Sequence, residues 1–185
     1  MALNTFTARL TEKSYQKQNK YKVLIGSPNG AMPQPMTYFA ETVEIPGQTI
    51  ISSPDELRYG PVREQATAMS YGPTSITFIC TPGLPEREFF TAWQAKIINK
   101  FTWEARYYAD YASRYTISIF ALDNQEKEKY GVTLHEVFPK TVGGQSFSAG
   151  SNDAYQTLDV EFAFRYWDES NLGAYGGPGA GAYST

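Results

Sequence analysis

The longest regular alternation of apolar and polar residues runs from Gln156 to Tyr166. Leu158, Val160, Phe162, Phe164 and Tyr166 alternate there with Thr157, Asp159, Glu161, Ala163 and Arg165. Successive side chains of a strand point to opposite faces, so the stretch predicts one long strand with an apolar and a charged face. From Gln156 to Tyr166 it is about twice the usual strand length, and the whole stretch runs from Asp153 to Asp168. Such a strand belongs in the wall of an antiparallel sandwich or barrel, where one face can stay wet.

Shorter patterns predict the strands around it. Tyr21–Ile25 is a first strand, stopped by the turn residues Gly26–Gly30, and Met36–Val43 is a second that could return as its hairpin. Ser75–Cys80 puts Ile76, Phe78 and Cys80 on one face. Arg114–Leu122 and Tyr130–Phe138 read as a hairpin across the charged tip 123–129, and Pro139–Gly144 reads as a turn. One helix is expected, about Pro85 to Phe101. Proline stands where a helix tolerates it, Glu86 and Glu88 sit in the first turn, and Lys96 and Lys100 sit near the end. Its stripe of Phe89, Phe90, Trp93, Ile97 and Phe101 predicts a buried face. The fold class is therefore mainly β, an antiparallel β-sandwich or small barrel with one flanking α-helix.

Two stretches fit neither period. Residues 1–19 form a polar arm expected to need a partner, and 170–185 are a Gly/Ala-rich tail that cannot bury enough apolar area to order itself. The domain proper is 20–169. Within it, residues 44–72 carry Ile45, Ile50, Ile51, Leu57, Tyr59, Val62, Met69 and Tyr71 among three prolines and three glycines. That segment is too apolar for a disordered loop and too interrupted for a core strand. It is expected to be an extended loop or hairpin packing on another subunit, with Ile50, Ile51, Leu57, Tyr59, Val62, Met69 and Tyr71 as interface candidates.

Composition narrows the function. The 185 residues suit one domain with its own core, and the 14 tyrosines favour strands and half-wet interfaces. A net charge of −3 argues against a general nucleic-acid binder. The charge is uneven, with Arg9, Lys13, Lys17, Lys20 and Lys22 against Glu12 at the start. Asp153, Asp159, Glu161, Asp168 and Glu169 stand against Arg165 at the end. One end of a subunit could so attract its neighbour. With one cysteine, Cys80, and one histidine, His135, neither a disulfide framework nor a histidine–cysteine metal cluster is expected. Both read as structural residues. No nucleophile elbow or phosphate-binding glycine loop is present. Asp159 and Glu161 are spaced as glycosidase carboxylates could be, yet any wet strand offers such a pair. No enzyme, cofactor or metal is expected. No run approaches the ~18 apolar residues of a membrane helix and the first residues lack a signal pattern, so a protein made in a cytoplasm, away from membranes, is expected.

The order of features resembles the tail tube proteins of contractile-tailed, T4-like bacteriophages. The resemblance covers Tyr21 to Glu169. It rests on the opening strand, Val43-Glu-Ile-Pro-Gly47, the helix Arg87–Ala95 with its Phe-x-x-Trp core, Tyr108–Ala112, Val137-Phe-Pro-Lys-Thr-Val-Gly143 and the closing Phe164-Arg-Tyr-Trp-Asp168. The resemblance implies a structural virion protein of the tail. Hexameric rings would stack into a hollow tube inside a contractile sheath, and type VI secretion inner tubes are similar. Implied partners are further copies of itself, the tail sheath protein, baseplate and tail terminator proteins and the tape measure protein. DNA would pass through the lumen without specific binding, with Asp159 and Glu161 as lumen-facing candidates. A tube-initiating baseplate protein would share the domain. A type VI inner tube subunit, and a carbohydrate-type β-sandwich module using its tyrosines, are the alternatives.

Overall fold

The computed structural model describes residues 16–33, 37–55, 59–148, 150 and 155–171. The expected arm and Gly-rich tail, together with Met36 and Leu57, lie wholly or mostly outside them. Eleven strands form two opposed sheets and a separate two-stranded ribbon. The first sheet has the order β11-β8-β7-β1-β2, made of β1 (Tyr21–Ser27), β2 (Gly30–Ala31), β7 (Thr116–Leu122), β8 (Glu128–His135) and β11 (Tyr166–Asn171). The second has the order β3-β6-β10-β9, made of β3 (Ala40–Val43), β6 (Thr74–Ile79), β9 (Phe138–Val142) and β10 (Thr157–Ala163). The ribbon pairs β4 (Gln48–Asp55) with β5 (Arg63–Tyr71). Among the described residues there are also α1 (Pro85–Ile97) and the single turn α2 (Tyr108–Tyr111).

Period-two alternation builds the core. Ile76 and Phe78 of β6 pair with Val160 and Leu158 of β10, so four apolar side chains enter from one sheet. Val23, Ile25, Ile117, Ile119, Val132 and Leu134 enter from the other, and one cluster contains both sets. Helix α1 seals this cluster with Phe90 and Trp93. The Phe90 ring lies 5.2 Å from Phe78 and 5.8 Å from Phe162, and the Trp93 indole donates to the carbonyl of Tyr111. The helix start is held by Glu86, fully buried, which accepts from the backbone and hydroxyl of Thr81.

Four sequence expectations change. The 156–166 stretch is not one strand. β10 ends at Ala163, and β11 begins at Tyr166 in the opposite sheet. Alternation continues through the bend, but its phase slips. Trp167, not Tyr166, packs against the core, while Tyr166 is exposed and stacks on His135. Strands of a sandwich change sheets at such bends, and a one-residue slip turns the side chains over. Secondly, Phe138–Val142 is a strand rather than a turn, because β10 supplies the partner that the pattern Phe-Pro-Lys-Thr-Val could not announce. Thirdly, the first two strands do not form a hairpin, since β1 pairs with β7 and β3 with β6. Lastly, α1 stops at Ile97. Residue Ile98 is extended and Phe101 is 94% exposed. Asn99 ends the helix by accepting the N–H groups of Phe101 and Thr102 on its side chain, as asparagine does in turns.

Two of the crossings between the sheets sit side by side. The chain leaves β8 for β9 through Glu136 and Val137, and leaves β10 for β11 through Phe164 and Arg165. The Arg165 guanidinium bonds Glu136 at 2.9 Å, and the Arg165 N–H donates to the His135 carbonyl at 3.1 Å. Glu136 has φ 57°, a left-handed conformation that costs a non-glycine residue about 1–2 kcal/mol. The paired crossing and the ion pair hold it there.

Candidate assembly surfaces

The ribbon β4–β5 is the first candidate surface. Neither strand joins a sheet, and every described side chain on them is exposed except Asp55 at the tip and Tyr71 at the root. Pairing places Ile50 against Met69 on one face and Ile51 against Ala68 on the other. A bulge after Ile51 leaves Thr67 unpaired, with its hydroxyl on the Ile51 carbonyl. Beyond the bulge the ribbon is polar, with Ser52 donating to Glu64 and Gln65 to Asp55. The apolar half thus lies at the root on both faces, and the polar half points away.

The sequence-based interface residues divide accordingly. Ile50, Ile51 and Met69 are 61%, 49% and 50% exposed on the ribbon, and Tyr59 and Val62 are exposed at its tip. Tyr71 differs from them, because its ring lies against Phe164 and Trp167 of the same chain.

The outer face of the second sheet is the other candidate surface. Asp159 and Glu161 share it on β10, beside Thr77, Ser75 and Thr42. Both acids are partnered within the sheet. Thr77 donates to Asp159 at 2.7 Å, while Lys140 and Thr141 donate to Glu161 at 3.0 and 3.1 Å. The hydrogen bond from Lys140, then that from Thr141, holds the Glu161 carboxyl below the usual glutamate range. Below this face the connector after β9 is pinned. Gly143 donates to the Asp159 carbonyl at 2.7 Å, and Arg87 of α1 donates to the Gly143 carbonyl at 2.9 Å. A Cβ on Gly143 would meet the Asp159 carbonyl oxygen at 2.9 Å, so glycine is required by the close approach.

His135 has a structural environment. Its Nε2 lies 2.8 Å from Asp168, and its ring stacks on Tyr166 with centroids 4.7 Å apart. Cys80 is half-buried, and burial first, then the nearby Glu86 charge, pushes its thiol up. Among the described residues no three His, Cys, Asp or Glu side chains are grouped as metal ligands would be. No described helix is long and apolar enough to cross a membrane.

A third exposed apolar group was missed by reading the sequence. The loop after α1 presents Phe101, Trp103 and Tyr107 at 94%, 81% and 85% exposure. It is held by backbone bonds Trp103 to Asn99, Asn99 to Glu104 and Arg106 to Ile97. Helical spacing put Phe101 on the buried stripe. The signal against that was Asn99, a helix-ending residue two positions earlier.

The phage tail tube protein family model matches residues 4–170. The chain belongs to that family. No curated protein matches it by sequence. Among solved structures, the tail tube chain is similar to a chain of the anti-feeding prophage baseplate, with TM-score 0.64 and 12% identity over 86% of this chain and 98% of that one. It is similar to a chain of the sheath–tube complex of the extracellular contractile injection system PVC, with TM-score 0.61, 14% identity, 90% and 98% coverage. The SPP1 tail tube follows at TM-score 0.53, 9% identity, 85% and 80% coverage. The fold is thus that of tube proteins from phage tails and contractile injection systems. The family is structural, and the chain is not an enzyme.

Proposed function

We propose that this protein is the subunit of an inner tail tube in which hexameric rings stack into the conduit for genome delivery. The β4–β5 ribbon carries the reading. An apolar ribbon root left outside the sandwich has more exposed hydrophobic surface than a solitary subunit needs, and such a patch marks an interaction site. Ile50, Ile51 and Met69, with Tyr59 and Val62 toward the tip, contact the neighbouring ring. Ring closure pairs the outer strands β3 and β9 of the second sheet between adjacent subunits, which removes unpaired edges. The hydroxyl-rich face with Asp159 and Glu161 then lines the lumen, where like charge keeps the phosphate backbone from sticking. The similarity to a sheath–tube complex supports a contractile sheath as the outer partner. Baseplate, terminator and tape measure proteins are the remaining partners, and the virion tail, assembled in the host cytoplasm, is the location.

Electron microscopy of the purified protein tests this, with hollow tubes or rings expected. Deleting 48–70 leaves a folded subunit that no longer polymerises; normal tubes from that variant would refute the role of the ribbon. A structure of the assembled tube with Asp159 and Glu161 on the outer wall would refute the lumen assignment.

A further inference from the structure

We propose that Tyr71 is a positioning residue that sets the angle of the β4–β5 ribbon by latching it onto the corner where the chain crosses between the two sheets. The ribbon leaves the sandwich on two short legs, Pro46-Gly47 and Gly72-Pro73. The Gly72 N–H donates to the Gly47 carbonyl at 3.0 Å, which draws the legs together into a waist. Added side chains would meet nothing at Gly47 and only ordinary contacts at Gly72, so no neighbouring atom fixes the glycines' conformation. The prolines cannot extend a ladder into either sheet. Below the waist the legs are joined again, where the Glu44 N–H donates to the Ser75 carbonyl at 3.4 Å and the Thr74 hydroxyl to the Glu44 carbonyl at 2.6 Å. Pairing so ties the ribbon to β3 and β6, while the proline and glycine legs between leave room for its angle to vary.

Direction comes from side chains. Within the strands, the residue at the root that loses exposure is Tyr71. Its ring lies 6.0 Å from Phe164 at 55° and 6.2 Å from Trp167 at 65°, in edge and tilted contacts. Phe164 is the first residue of the crossing from β10 to β11, and Trp167 is the second residue of β11. The corner is itself rigid, tied by Arg165 to Glu136 and His135. Tyr71 thus refers the ribbon to a braced point of the sandwich. The Tyr71 hydroxyl reaches only Met69 of its own strand, so the ring and not the hydroxyl makes the latch.

Trp167 provides the readout. Among the described residues its indole N–H is buried with no hydrogen-bond partner. A buried unpaired donor takes up water once a path opens, and the Tyr71 ring stands beside it. Lifting the latch hydrates the indole.

The inference rests on the tube reading for its consequence but not for its test. The first arm uses the unassembled 185-residue chain with Trp103→Phe, which removes the exposed indole and leaves Trp93 and Trp167. Tyr71→Ala should red-shift the emission, whereas Tyr71→Phe should not. The second arm places spin labels at Ser53 on the ribbon and Glu126 on the body, in a Cys80→Ser background. Tyr71→Ala should broaden the distance distribution with circular dichroism unchanged. A distribution as narrow as the parent's, or an unshifted emission, overturns the latch. The third arm measures the concentration at which tubes form, expected to rise roughly tenfold for Tyr71→Ala and to return to the parental value for Tyr71→Phe. Unchanged tube formation by Tyr71→Ala overturns the assembly role. Failure of the parent to form tubes counts against the tube reading alone, and the first two arms still decide the latch.

Discussion

Gly143 and Glu161 show how much one residue decides on the second sheet. Gly143 is required by a backbone contact from a strand 16 positions away, so alanine must displace either the connector or β10. Gly143→Ala is expected to destabilise by about 1–3 kcal/mol, the usual cost of overpacking, and denaturant titration measures it. Glu161 is the pH-dependent member. Its folded carboxyl titrates below the unfolded one, so the contribution of its pair with Lys140 is complete above the ordinary glutamate range and lost as pH falls through the lowered value. Melting temperatures of the parent and Lys140→Met should therefore differ at neutral pH and converge in strong acid. A difference that persists there would show that the lysine acts through packing. The spacing of Asp159 and Glu161 was legible because period two puts both on one face. Their partners were not, since Thr77 and Lys140 come from strands far away in sequence.

Elements were legible where their own period carried them. β6, β7, β8 and the first three turns of α1 follow directly from spacing, because each buries one face of a regular repeat. Phe90 is the test of that packing. It joins α1 to both β6 and β10, and Phe90→Ala should cost about 3–5 kcal/mol by calorimetry or denaturant titration. The ends of elements were less legible. The phase slip at Phe164–Arg165 cannot be seen in a string that goes on alternating. Only the pairing of Tyr166 with His135, in the other sheet, reveals it. The crossing should depend on its brace. Glu136→Ala removes the Arg165 partner while leaving the strained φ, and should lower the melting temperature more than Arg165→Lys, which keeps the charge.

At the scale of the whole molecule, the sandwich buries one core between its sheets and leaves apolar surface exposed outside it. The ribbon root and the loop carrying Phe101 and Trp103 are built, hydrogen-bonded structures rather than frayed ends. Charged substitutions in such surfaces spare the fold and act on association. Ile50→Glu with Met69→Lys, an opposite-charge pair across the ribbon, should leave the melting transition within roughly 0.5 kcal/mol of the parent while abolishing tubes seen by microscopy. An unfolded double variant would instead mean that the ribbon belongs to the core. The family match is to phage tail tube proteins.

The sequence by itself determined the all-β class, the sealing helix, the faces of most strands and the apolar excess of residues 44–72, because these depend on local period and composition. Tertiary structure alone decided that the last long alternation divides between two sheets, that Phe138–Val142 is a strand, and that Phe101 faces solvent. It also decided that Tyr71 turns back on its own chain while Ile50 and Met69 do not. Each of these depends on which distant strand or ring lies alongside, and a spacing rule has no knowledge of neighbours that arrive only on folding.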